Sequence, residues 1–154
     1  MVNVKMERVA QRGWKGIRFF LPFFTFLSFL FLTSSVFAQG VAVIANPSAP
    51  SLTREQVKAL FLGFSTTLPD GTPAQLIMLK GDGVKQKFLK GLLGISESEY
   101  KAHWLQKALA GEGVPPRELT PDEILAVVKT QKGAIGVIPL DKVGEGVKVI
   151  LEIR

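Results

Sequence analysis

The chain has 154 residues, with 19 basic and 13 acidic side chains, a length that suits one domain. It contains no cysteine, which excludes disulfides, thiolate metal sites and cysteine nucleophiles. Its 47% apolar content and net charge of +6 are unevenly spread, and both excesses lie mainly at the N-terminus.

Residues 1–18 carry Lys5, Arg8, Arg12, Lys15 and Arg18 against Glu7 alone. Residues 19–32 (FFLPFFTFLSFLFL) hold no charge, and residues 33–38 end on the small side chains Val36 and Ala38. Basic, apolar, small is the order of a secretory signal peptide, so 1–38 is expected to be a leader cleaved near Ala38. The apolar run is 14 residues long, short of the roughly 20 that a spanning helix needs, and Pro22 disfavours a straight anchor. The rival reading is an uncleaved tether, which would be the chain's one membrane contact. Removing 38 of 154 residues leaves 116, with 14 basic and 12 acidic side chains. A net charge of +2 with no dominant basic patch argues against nucleic-acid binding, and Lys85, Lys87 and Lys90 read as a solvated helix face.

The expected domain, 39–154, opens with an apolar, β-branched strand over Val41–Ala45 that ends at Asn46-Pro47. Thr53 with Gln56 forms a capping box for a helix that buries Val57, Leu60 and Phe61 and closes at Gly63. Residues 69–73 (PDGTP) make a turn, and Ala74–Leu79 is the second strand. After the interruption Lys80-Gly81-Asp82-Gly83, Val84–Leu93 reads as a helix closed by Gly94. Ser96 with Glu99 caps a third helix running to about Ala110, with Tyr100, Trp104 and Leu105 inward and Ala108 near the same stripe. Residues 111–119, with Pro115-Pro116, read as a loop. Thr120-Pro121-Asp122-Glu123 starts a fourth helix with a cap, proline at its first position and glutamate at its third. Ala134–Pro139 and Val147–Ile153 complete four strands. Runs apolar on both faces and separated by helices predict an α/β fold, a mainly parallel sheet covered by helices on both faces.

Enzymatic signals are poor. His103 is the single histidine, and beside Trp104 on a helix it reads as a surface or packing residue. No G-x-S-x-G elbow occurs, and Glu55, Asp122 and Glu123 are explained by helix starts. No catalytic residue, metal site or cofactor is assigned.

The informative segment is Lys80-Gly81-Asp82-Gly83-Val84-Lys85, which joins a strand end to a helix start. Ligands of open α/β sheets bind at strand carboxyl ends. A glycine turn there offers backbone N–H groups and the positive end of a helix. With Lys80 it suits a small oxyanion, provided the ligand keeps a proton for Asp82 to accept. The plain alternative is a glycine turn with a solvated aspartate. Asn46-Pro47-Ser48 leaves the first strand in what this reading takes as the equivalent place, so the candidate ligand residues are Asn46, Ser48, Lys80, Gly81, Asp82 and Gly83. Asn46 and Ser48 are also ordinary turn formers.

The succession 52–57 (LTREQV), 61–63 (FLG), 68–73 (LPDGTP), Lys80-x-Asp82-Gly83 with Phe88 downstream, and 132–137 (KGAIGV) resembles the phosphate-binding protein of bacterial ABC transporters. It resembles more closely that protein's small single-lobe relatives. The resemblance covers about residues 41–151 and lies in the order and spacing of these segments. It implies a single periplasmic-binding-protein-like lobe of type 2, periplasmic location, and capture of phosphate or a similar oxyanion for ABC-type transport or sensing. In full-length relatives the loop after the second of these strands carries Arg-x-Asp-Gly-Ser-Gly-Thr. Here Lys80 takes the arginine position, Asp82 and Gly83 match, and Val84, Lys85 and Gln86 replace Ser-Gly-Thr. The rival to a solute-binding module is a lobe that has lost its ligand and docks on another envelope protein.

Overall fold

The computed structural model describes residues 40–154; the expected leader and its cleavage point lie outside them. The elements are β1 (Val41–Ala45), α1 (Arg54–Phe61), β2 (Gln75–Leu79), α2 (Asp82–Phe88), α3 (Glu97–Leu109), β3 (Arg117–Leu119), α4 (Pro121–Thr130), β4 (Ala134–Pro139) and β5 (Lys148–Ile153). α2 runs on into a π-helical turn, Leu89–Leu93, which Gly94 ends in the left-handed conformation. None of the described helices is long and apolar enough to cross a membrane.

The strands form a five-stranded sheet in the order β3-β2-β4-β1-β5. β2 is parallel to β3 and β4, but β1 is antiparallel to both β4 and β5. The sheet is therefore mixed, not mainly parallel. β1 is apolar on both faces because it lies inside the sheet between two helical layers. That burial is the same for either strand direction, so composition could not reveal the direction.

Two apolar clusters flank the sheet. One joins Val41, Val43, Ile135 and Val137 to Phe61, Phe88, Leu89, Tyr100 and Trp104, from α1, α2, the π turn and α3. The other joins Ala42, Ile44, Ile77 and Ile138 to Ile124 and Val128 of α4. Phe61 and Phe88 meet edge to face at 4.9 Å between centroids. Gly136 lets α4 approach, since a Cβ there would lie 2.3 Å from Ile124 Cγ2. Capping boxes start α1 at Thr53, α3 at Ser96 and α4 at Thr120, as their spacing predicts.

Three expectations need correction. Residues 117–119 are a strand, not loop; three residues following a proline pair carry too little alternation to show one. Leu105 is 61% exposed and Ala108 is also exposed, because α3 turns only the Tyr100–Trp104 stripe to the core. Lys85 is 5% exposed, not solvated.

Candidate functional site

Strand direction decides which loops can share a ligand. Ala45 of β1 lies opposite Ile135 and Val41 opposite Pro139. Gln75 of β2 pairs with Ala134 and Ile77 with Gly136. Asn46 therefore leaves the sheet where β2 and β4 begin, while Lys80 leaves it where β1 begins. Strands of this length hold the two ends about 15 Å apart. The two predicted halves of the site are not brought together.

At the first end, Asn46 is structural. Its Nδ2 donates to Val128 O at 2.9 Å and Lys129 O at 3.1 Å, satisfying carbonyls in the last turn of α4. Its Oδ1 accepts from the Ser48 amide at 3.0 Å and the Ser48 hydroxyl at 2.6 Å. Both side chains are spent on closing the turn, the plainer of their two sequence readings.

At the other end, Lys80, Gly81 and Gly83 are exposed. The Lys80 amide donates to Leu119 O at 2.9 Å, binding the turn to the end of β3. Gly81 has φ +117°, a conformation that favours glycine, and serves as N-cap of α2 without any side-chain cap. A Cβ at Gly81 or Gly83 would meet nothing within 4 Å, so the space over this turn is open. α1, α3 and α4 each spend a hydroxyl and an acidic or amide side chain on their first turn. α2 does not, so its first turn has no side-chain cap.

The charges nearby are arranged. The amide and hydroxyl of Thr120 hold the Glu123 carboxyl below its usual range, and the positive charges of Lys80 and Arg117 add to this. Lys85 is held by Glu97 at 3.1 Å and by Glu118 at close range, so α2, α3 and β3 meet at one ammonium. Glu97 also pairs with Lys101 at 2.9 Å, and these contacts lower its pKa. Burial alone would pull the Lys85 pKa down, but the two carboxylates outweigh it and the net shift is upward. Lys85 thus belongs to an ion-pair cluster beside the turn, which spacing on α2 alone could not indicate.

His103 Nε2 lies 2.8 Å from the Leu62 carbonyl at the end of α1, and its ring meets those of Phe64 and Trp104. Of the surface and packing roles that its surroundings in sequence allow, this is the packing one. Among the described residues, no three His, Cys, Asp or Glu side chains gather as a metal site. A slot of about 440 Å³, which sequence reasoning missed, lies along the start of β2 between Leu60, Leu76, Trp104, Val114 and Pro116. The proline pair was its one local sign.

No protein-family model and no curated protein matches this chain. Solved structures do match in fold. One is a protein of Clostridium perfringens described as a phosphate ABC transporter substrate-binding protein, with bound phosphate: TM-score 0.57, 21% identity, 73% of this chain and 44% of that one. An ABC-type phosphate transport receptor of Vibrio cholerae gives TM-score 0.56 at 19% identity, over 73% and 45% of the two chains. PstS of Borrelia burgdorferi gives 0.55 at 14%, over 73% and 46%. The chain shares the substrate-binding-protein fold and spans less than half the length of these proteins.

Proposed function

We propose that this chain is an exported, non-enzymatic solute-binding module whose Lys80–Gly83 turn contacts a small oxyanion, phosphate or a close analogue, in periplasmic transport or sensing. The observation that carries the reading is the first turn of α2, which has no side-chain cap and follows Lys80 through two glycines, Gly81 and Gly83, with open space at their Cβ positions. Backbone N–H groups and a helix N-terminus suit an oxyanion, and Lys80 adds charge. The fold relatives, named as phosphate-binding or phosphate-transport proteins, support the same ligand class. Asn46 and Ser48 have no part in it.

The site is one-sided, and water screens its charge-assisted bonds, so weak binding is expected unless a partner forms the other wall. Isothermal titration with phosphate and with sulfate tests the reading. Binding in the wild type that weakens several-fold in Lys80→Ala supports it; no heat at millimolar anion removes it.

A second reading, a docking lobe without ligand, is favoured by the exposed side chains Phe64, Leu109 and Val114. An envelope partner captured equally by the wild type and a Lys80→Ala, Asp82→Ala double variant would select it.

A further inference from the structure

We infer that the slot along the start of β2 is a second ligand site, for a small molecule with an apolar body and one carboxylate, and that Arg117 receives the carboxylate. The slot lies at the opposite end of β2 from Lys80, so the inference stands apart from the oxyanion reading.

The sequence around β3 makes this cavity. β3 pairs with β2 only from Arg117 and Ile77 onward. Pro115 and Pro116 come just before and have no amide hydrogen, so the ladder cannot run back beside Gln75 and Leu76. The space left is about 440 Å³, a size that suits a small molecule. One side of it is fixed by close packing against backbone. At Gly63 φ is +68° and a Cβ would lie 2.7 Å from Trp104 Cη2, while a Cβ at Gly113 would lie 3.5 Å from Trp104 Cζ3. The indole edge is thus held between two glycines, and a preformed wall spares a ligand part of the cost of ordering its site.

The lining sets the ligand class. Leu60, Leu76, Trp104, Val114, Pro116 and Val127 offer apolar surface, and the charged lining residues are Glu112 and Arg117. Glu112 already pairs with Lys107 at 3.5 Å. Arg117 is exposed and, among the described residues, its guanidinium enters no ion pair or side-chain hydrogen bond. The acid that feels its charge, Glu123, is bonded instead to the Thr120 amide at 2.9 Å and hydroxyl at 2.8 Å. The slot therefore joins an apolar cavity to one unmatched positive charge. A carboxylate fits the guanidinium fork, and an apolar body gains by leaving water for the walls. An inorganic anion would meet the same charge but leave those walls wet, which is why the class is an amphipathic acid.

The test compares two probes, 4-phenylbutanoate and the uncharged 4-phenylbutan-1-ol, by fluorescence titration at one ionic strength. Trp14→Phe is introduced throughout, so that Trp104, a wall of the slot, is the single tryptophan. The acid is expected to bind several-fold tighter than the alcohol. Arg117→Gln should bring the acid down to the level of the alcohol while leaving the alcohol unchanged, which also shows the cavity intact. Arg154→Gln is the control: it removes the same charge from an exposed pair with Glu152, after β5 at the opposite edge of the sheet, and should keep the preference. Equal binding of acid and alcohol by the parent, a preference that survives Arg117→Gln, or one lost equally in Arg154→Gln overturns the inference. So does the absence of any saturable change with either probe at millimolar concentration. Each of these outcomes leaves the oxyanion reading of the Lys80 turn, tested by phosphate, where it stood.

Discussion

Asn46 bonds two carbonyls that end α4 and also closes the turn with Ser48, through four hydrogen bonds. Asn46→Ala removes all of them and leaves buried carbonyls short of partners. It should cost about 2–3 kcal/mol in denaturant unfolding. The same variant should bind phosphate as the wild type does, because its turn is at the far end of the sheet. Lys85 shows the opposite relation between sequence and role. A lysine among lysines on a helix looks solvated, yet two carboxylates distant in the chain allow its burial. Leu105 is the converse, an apolar residue placed inward by composition but left outside by a narrow core-facing stripe.

Among the elements, helices were the more legible. Thr53–Gln56, Ser96–Glu99 and Thr120–Glu123 are local devices, complete within four residues, and each is seen as read. Strands β1, β2, β4 and β5 were also recognisable from their β-branched and apolar runs. β3 was not, since its pairing with β2 rather than its own composition makes it a strand. The packing of α4 on β4 depends on Gly136. Gly136→Ala would place a methyl 2.3 Å from Ile124 Cγ2. It should lower stability by about 1–3 kcal/mol, read from thermal or denaturant unfolding, as overpacking of a filled core does.

At the scale of the whole molecule, the ion pairs around Lys85 connect three elements, α2, α3 and β3. Glu97 titrates below its ordinary value of 4.5 because Lys101 and then Lys85 favour its charged form. A carboxyl with a depressed folded-state pKa contributes stability that is fully present above the unfolded value and is lost as pH falls through the folded one. Unfolding free energy should therefore hold level just above pH 4.5 and decline below it. A Glu97→Gln variant should show a shallower decline, and equal acid slopes in the two proteins would contradict this account.

The sequence by itself determined the local features: the helix caps, most strands, the glycine turn after β2, the absence of thiol chemistry and the ordinary role of His103. Each depends on residues within a few positions of one another. Only the tertiary structure decided which loops share an end of the sheet and which charged side chains are buried. The reason is physical: a strand buried between two layers has the same composition whichever way it runs. The reversal of β1 against β4 placed Asn46 and Ser48 on the side away from Lys80, Gly81, Asp82 and Gly83.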